Sequence, residues 1–273
     1  MPKICIDAGH WGSYNQSPAN PAYFESKIMW QLQELLCAEL EKLGVQTVRT
    51  RLVPERDLPL EQRGALAEGC GLFLSLHSNA TEGNALREDI DYPVSYVSIS
   101  GSADDIGLRL ARCVEQTLGT VQSARIEHKT GSGGKDYYGV LRGAWAKGVA
   151  GVILEHSFHT NSRTVRWLMQ PENLQILAAR EAQIIAEYLG AKIPATPASP
   201  AQKRYRYPGD LPESDSFRAI IAELMEAGII RGDGGTPPVI DLSHDMVRLL
   251  VMLHRAGLLD KNQAKNHNKE NTN

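Results

Sequence analysis

The sequence lacks several short motifs that would indicate a function directly. It has no Cys-x-x-Cys pair and no His-Glu-x-x-His motif, and its glycine-rich run Gly131–Gly134 lacks the Gly-Lys-Ser/Thr ending. These absences argue against a paired-cysteine metal site, a zincin-type protease and a phosphate-binding loop. Each of the four cysteines lies in an apolar segment. We therefore expect buried, reduced thiols, as in proteins made in a reducing compartment.

Surplus charge and long apolar runs are absent as well. The chain has 29 lysines and arginines against 32 aspartates and glutamates, so it has no basic excess of the kind that nucleic-acid partners require. No apolar run approaches the ~20 residues of a membrane span. The first residues form a strand pattern and not a secretory signal, so we expect a protein that stays in the cytoplasm until it is released.

Strand and helix patterns alternate through most of the chain. Strand patterns cover Lys3–His10, Val45–Thr50, Gly71–His77, Val94–Ile99 (expected to be half-exposed), Tyr137–Leu141 and Gly151–His156. Helical patterns cover Glu25–Leu43, Leu58–Gly69, Ala103–Leu118 and Ser162–Leu189, the last broken near Pro171, and Gly131–Gly134 is expected to be flexible. This alternation predicts an α/β fold over residues 1–190, with a parallel sheet.

The composition changes after residue 190. Residues 191–203 contain three prolines among small residues and are predicted to be a semi-extended linker. Residues 204–260 carry two helical patterns and are predicted to form a small, mainly helical C-terminal domain, in which Ser243 caps the second helix. Residues 261–273 are rich in asparagine and lysine and are expected to be disordered.

Three of the strand patterns end in residues that can carry chemistry. His10, His77 and Glu155 follow apolar runs, and Glu25 begins a helix. In open α/β sheets the site lies beyond the carboxyl ends of the strands. A catalytic zinc ion takes three protein ligands, often histidine and glutamate, and keeps an open position. We therefore predict His10, Glu25 and His77 as ligands and Glu155 as a general base; alternatively, Glu25 only stabilises the first turn of its helix.

Four segments resemble a known family. Ile6–His10, the helix-opening Glu25, Ser75–Ala80 and Leu154–Asn161 resemble, in the same order, the signature segments of the zinc-dependent N-acetylmuramoyl-L-alanine amidases, the amidase-3 family. The resemblance implies Zn²⁺ bound by the matching His, Glu and His and catalysis by the matching later Glu. It also implies a mixed, mostly parallel sheet flanked by helices. The implied reaction is cleavage of the amide between N-acetylmuramic acid and L-alanine, with peptidoglycan as the partner.

Further residues have weaker signals. Arg142 lies in a segment that resembles one bordering the family's cleft, and its guanidinium could hold a stem-peptide carboxylate. His159 lies in the loop after Glu155 and is a second candidate for substrate binding. His156 should point away from Glu155 because strand side chains alternate. Arg63 matches a recurrent arginine of the family, and a structural ion pair is the alternative.

The C-terminal unit resembles one divergent S-layer-homology-type unit at Gly228–Gly234 and Ile240–Arg255. Such units bind secondary wall polymers; the alternative is a helical cap or a dimerisation module, which would give a homodimer. A catalytic domain, a proline-rich linker and a small module together resemble the layout of phage endolysins, so a phage or prophage endolysin is the leading hypothesis.

Four alternatives remain open from the sequence. The chain could be a host autolysin or sporulation amidase, or a zinc peptidase that cuts within the stem peptide. It could also be a wall-binding protein with an inactive catalytic domain, although all four expected catalytic positions are filled. The last alternative is an intracellular scaffold.

Overall fold

The computed structural model describes residues 1–191, 204–212, 217–232 and 234–259. The chain divides into two compact units, Met1–Pro194 and Ala195–Asn273. Apart from Ala191, the predicted linker at residues 191–203 lies outside the described residues, and so does the predicted disordered tail. In the described part of the chain, no helix has the length and apolarity needed to cross a membrane.

The first unit is built on a mixed sheet of six strands. These are β1 (Lys3–Ala8), β2 (Gln46–Arg49), β3 (Leu72–Asn79), β4 (Val94–Val97), β5 (Arg125–His128) and β6 (Gly151–Phe158). Their order across the sheet is β2-β1-β3-β6-β4-β5. Only the β4–β6 pairing is antiparallel among these strands. The predicted mixed, mostly parallel sheet is confirmed.

Helices cover both faces of this sheet. They are α1 (Glu25–Lys42), α2 (Leu60–Ala65), α3 (Asp104–Leu118), α4 (Gly139–Trp145), α5 (Ser162–Leu168) and α6 (Pro171–Tyr188). Along β1, Ile4 and Ile6 face the core formed with α1, α3 and α6, whereas Cys5 faces the core that includes α4. This alternation is the period of two of a strand that is buried on both faces.

Two sequence predictions were wrong about local structure. Tyr137–Leu141 was expected to be a strand, but α4 begins at Gly139, because Val140, Leu141 and Ala144 bury a helical stripe against the sheet. Val94–Ile99 was expected to be half-exposed, but β4 is largely buried between β6 and β5. The strand β5 lies in residues 122–136, where no strand was predicted.

The described part of the second unit is mainly helical. It contains α7 (Phe217–Glu226), α8 (His244–Arg255) and a two-stranded ribbon of β7 (Arg204–Tyr205) and β8 (Leu242–Ser243). As predicted, Ser243 caps α8: its side chain accepts a hydrogen bond from the Met246 N–H at 3.1 Å. The most buried members of a separate small core are Tyr205, Leu211, Ile221, Leu224 and Val247.

Two glycines let α2 and α4 pack with their backbones close together. A Cβ atom on Gly143 would overlap the carbonyl oxygen of Glu61, and one on Gly64 would overlap the carbonyl oxygen of Val140. This close packing keeps α2 on the face of the sheet that carries Asp7 and His77.

We therefore expect Gly143→Ala to lower the free energy of unfolding by about 1–3 kcal/mol, the usual range for overpacking. This loss should appear although alanine favours a helix over glycine by ~1 kcal/mol. Urea denaturation measures it. Gly209→Ala, where an added Cβ meets nothing within 4 Å, is the control and should change stability little. Equal stability of Gly143→Ala and the wild type would show that α2 and α4 have room to separate.

Candidate metal centre and active site

The register of the central strands brings the predicted catalytic residues together. In the parallel pair β3–β6, His77 lies directly opposite Glu155, and in the pair β1–β3, Asp7 lies opposite Ser75. Ser75 and His77 are two residues apart and share one face of the sheet, because strand side chains alternate. The strands continue past His77 and Glu155 to Asn79 and Phe158, with a bulge between His77 and Asn79.

His10 is delivered by the turn that follows β1. Its backbone adopts a φ of 58°, in the left-handed region, immediately after Gly9 donates its N–H to the carbonyl of Leu76. A side chain at position 9 would overlap the imidazole of His77, so only glycine allows the two histidines to approach. Their ring centroids are 5.0 Å apart.

Glu25 lies in the first turn of α1, as predicted, and joins the two histidines. Its Oε1 is 2.9 Å from Nδ1 of His77 and accepts a hydrogen bond from the Ser78 N–H at 3.1 Å. Its Oε2 is 3.4 Å from Nε2 of His10 and accepts a hydrogen bond from the Asn15 amide at 2.7 Å. One ligand atom from each of His10, Glu25 and His77 lies within 4.8 Å of the others.

This donor set fits a divalent metal ion. Although burial raises the pKa of Glu25, hydrogen bonds and charge from His10 and His77 outweigh that effect and hold the pKa well below its usual value. Burial lowers the pKa of His77, against the opposing effect of Glu25. A carboxylate and neutral imidazoles are the forms that bind metal ions. The three side chains could therefore hold a metal ion such as zinc.

Glu155 has a different environment from Glu25. Its Oε2 is buried and has no hydrogen-bond partner among the described residues. Burial, and then the negative charge of Glu25, raise the pKa of Glu155 well above its usual value. A carboxylate with a raised pKa beside a metal site is suited to take and return a proton near neutral pH.

Two further histidines near these residues, His156 and His159, are buried. His156 lies on the opposite face from Glu155, as expected, where its Nε2 is 2.9 Å from Oε1 of Glu181. His159 is 2% exposed, and its Nδ1 is 2.7 Å from the carbonyl oxygen of Ser78. The same Nδ1 lies 4.0 Å from Oε2 of Glu25. Its predicted contact with substrate stays untested.

Arg63 and Arg142 lie on the two helices that cover this face. Arg63 forms a buried ion pair with Asp7 at 2.6 Å, which agrees with the structural alternative for this arginine. Arg142 donates from Nε to Oε1 of Glu61 at 2.8 Å and lines a cavity of about 590 Å³ together with Lys135. Its predicted role in binding a stem-peptide carboxylate stays untested.

The loop after His10 contributes residues that no sequence pattern singled out. Asn15 bridges His10 and Glu25, with its amide 3.0 Å from Nε2 of His10. The ring of Tyr14 stacks on that of His10 at 5.4 Å, and Trp11 contacts Tyr14. Both aromatic residues are exposed. Irregular loops have no periodicity, so only their short distance from His10 in the chain could have indicated these residues.

A known protein family matches most of the first unit. The profile of the N-acetylmuramoyl-L-alanine amidase family, Amidase_3, matches residues 4–187. That match covers more than half of the chain. No curated protein sequence matches the chain at a significant level.

Solved structures of amidases share the fold. The catalytic domain of CwlV, an N-acetylmuramoyl-L-alanine amidase from Bacillus (Paenibacillus) polymyxa var. colistinus, has a TM-score of 0.56 and 21% identity, over 70% of this chain and 100% of that one. AmiC2 of Nostoc punctiforme has a TM-score of 0.54 and 24% identity, over 69% of this chain and 97% of that one. Cwp6 from Clostridium difficile has a TM-score of 0.56 and 22% identity, but the match spans 68% of this chain and 29% of that one.

The raised pKa of Glu155 generates a stability prediction for the metal-free protein. Ionised Glu155 destabilises the folded state at neutral pH, so Glu155→Gln should raise the free energy of unfolding at pH 7. The gain should shrink as the pH falls through the unfolded pKa of ~4.3, below which both states carry the proton.

Chemical denaturation in the presence of a chelator, at pH 7 and pH 4, measures this difference. Glu82→Gln, in an exposed turn, is the control and should change stability by less than ~0.5 kcal/mol at either pH. A loss of stability in Glu155→Gln at pH 7 would contradict a Glu155 that is destabilising when ionised.

Proposed function

The chain belongs to the N-acetylmuramoyl-L-alanine amidase family, and from that premise we propose that zinc, held by His10, Glu25 and His77, serves its reaction. That reaction is hydrolysis of the amide bond between N-acetylmuramic acid and L-alanine in peptidoglycan. One observation carries the zinc proposal: a donor atom from each of these residues, which come from a turn, a helix and a strand, lies within 4.8 Å of the other two.

The chemistry divides between the metal site and Glu155. A zinc ion held by His10, Glu25 and His77 would supply a Lewis acid for the scissile carbonyl and would lower the pKa of a water molecule. Glu155 accepts the proton of the attacking water and then donates it to the nitrogen of the departing L-alanine. The buried Oε2 of Glu155 has no hydrogen-bond partner in the described part of the chain and is the atom available for this proton. Asn15 and the Ser78 N–H hold Glu25 in place through the cycle.

The exposed aromatic rings after His10 support a binding surface for the sugar ring of the substrate. The N-acetylmuramoyl ring is joined to the scissile carbonyl by only a few covalent bonds, so it must lie beside the metal ligands. Tyr14, stacked on His10, and Trp11 offer flat apolar surface at that place. Exposed aromatic surface of this kind commonly marks a binding site.

The order of parts along the chain supports a role as a phage or prophage endolysin. The family domain at residues 4–187 is followed by a proline-rich segment and a separate unit with its own small core. We propose that this second unit directs the enzyme to wall polymer and that the enzyme waits in the cytoplasm until lysis. Pairing of two copies through the second unit is the alternative role.

Two variants test the site. Glu155→Ala should keep one zinc ion per chain and lose ~10²–10⁴-fold in rate, the usual contribution of a general acid–base group. His77→Ala should lose the zinc. The measurements are metal content by mass spectrometry and digestion of purified peptidoglycan with and without chelator. Free stem peptides that begin at L-alanine identify an amidase, whereas cleavage between amino acids identifies a peptidase.

The results separate the parts of this proposal. Loss of zinc from Glu155→Ala would contradict its role as a base that is not a ligand. Full zinc content in His77→Ala would remove His77 from the ligand set. Cleavage that a chelator does not inhibit would be consistent with the family reaction but would exclude a role for the metal ion in it. Zinc-loaded protein that binds walls without cleaving them would favour a wall-binding protein.

A chain that ends at Ala191 tests the second unit. Because α6 ends at Tyr188, the shortened chain retains every element of the first unit and every site residue. We expect it to cleave soluble muropeptides at the wild-type rate and to lose sedimentation with intact walls. Sedimentation velocity of the full and shortened chains gives the oligomeric state. A full-length dimer that becomes a monomer on shortening, with unchanged wall binding, would favour the dimerisation role.

A further inference from the structure

We propose that Ser75 is a positioning residue that fixes the tautomer of His77 by linking its Nε2 to the buried carboxylate of Asp7. The link keeps the hydrogen of metal-bound His77 on Nε2 and leaves Nδ1, which is directed at Glu25, as the coordinating nitrogen. This inference rests on the proposed function, in which His77 is a metal ligand.

The link follows from the strand register. Asp7 of β1 lies opposite Ser75 of β3, and His77 is the next residue of β3 on the same face. Asp7 and Ser75 are both 0% exposed. Ser75 Oγ is 2.6 Å from Oδ2 of Asp7 and 3.0 Å from Nε2 of His77. A continuous chain of hydrogen bonds thus runs from a buried carboxylate to a predicted ligand.

Asp7 can only accept hydrogen bonds in this arrangement. Arg63 donates to both of its oxygens, from Nε to Oδ1 at 2.9 Å and from Nη2 to Oδ2 at 2.6 Å. Thr50 donates its hydroxyl to Oδ1 at 2.5 Å. The bidentate guanidinium keeps the carboxylate charged. The hydroxyl proton of Ser75 must therefore point to Oδ2.

The direction of that proton determines the tautomer of His77. A serine hydroxyl has one hydrogen, so Ser75 Oγ presents only lone pairs to His77. Nε2 of His77 must then carry hydrogen to bond Ser75, which leaves Nδ1 as the nitrogen for a metal ion. Nδ1 faces a carboxylate oxygen of Glu25 at 2.9 Å, so a proton on Nδ1 or a metal ion must lie between the two atoms.

Partners of this type are common behind metal ligands. A histidine ligand usually donates its other ring N–H to a carboxylate, a carbonyl or a water molecule, which fixes the ring and its tautomer. Here a hydroxyl lies between the ring and the carboxylate. A purely structural role for Ser75 would satisfy Asp7 and leave metal affinity and tautomer unchanged, so these two properties distinguish the roles.

The first experiment measures zinc affinity by competition with a chelator. Ser75→Ala should bind zinc ~10–100-fold more weakly than the wild type, as is typical when a partner of a metal ligand is removed. Ser95→Ala is the matched control. Ser95 is also 0% exposed and lies in a strand of the same sheet, but its hydroxyl donates to the carbonyl of Gly107 at 2.8 Å. Its zinc affinity should equal that of the wild type.

The second experiment identifies the coordinating nitrogen in the zinc-bound protein. Nitrogen-15 NMR of the histidine rings should show His77 of the wild type bound through Nδ1, with hydrogen on Nε2. At saturating zinc, Ser75→Ala should exchange this hydrogen with water faster, whereas Ser95→Ala should match the wild type. The wild-type spectrum tests the proposal even if Ser75→Ala does not fold.

Several results would overturn the proposal. Coordination of zinc through Nε2 of wild-type His77 would do so, and so would a folded Ser75→Ala whose zinc affinity is within about threefold of the wild type. If the wild type binds no zinc, the metal role in the proposed function fails and this proposal fails with it. Equal zinc binding by the wild type and Ser75→Ala overturns only the role of Ser75.

Discussion

The parallel pairing of β1, β3 and β6 in one register is the constraint on which the site depends. It places His77 opposite Glu155 and Asp7 opposite Ser75 on the same face of the sheet. A shift of one strand by one residue would move all its side chains to the other face of the sheet, and these residues would no longer lie together. The buried branched residues on the opposite face fix the register, so the apolar core also positions the polar site.

Two carboxylates near one another have opposite properties in this site. Hydrogen bonds and charge from two histidines lower the pKa of Glu25, whereas burial and the charge of Glu25 raise the pKa of Glu155. The same low-dielectric surroundings therefore give one carboxylate suited to bind a cation and one suited to hold a proton. Pairs of acids separated in this way are typical of hydrolytic sites.

The sequence predicted the type of element correctly where the periodic pattern was long, and incorrectly where the pattern was short. The helix from Glu25 and the break at Pro171 are confirmed, because each has a clear periodic stripe or a proline. The segment Tyr137–Leu141 is too short for periodicity to separate strand from helix, and packing against α2 decided for the helix. β4 looked half-exposed because its burial comes from neighbours that are distant in sequence.

The sequence by itself determined the fold class and the residue types of the site: apolar strands that deliver His10, His77 and Glu155, and a helix that begins at Glu25. These are local properties of composition and period. Only the tertiary structure decided which side chains share a proton or a charge. The bridge by Asn15, the buried Asp7–Arg63 pair and the contact of Ser75 with His77 join residues from separate elements. Their distances depend on strand register and helix packing, which no single segment encodes.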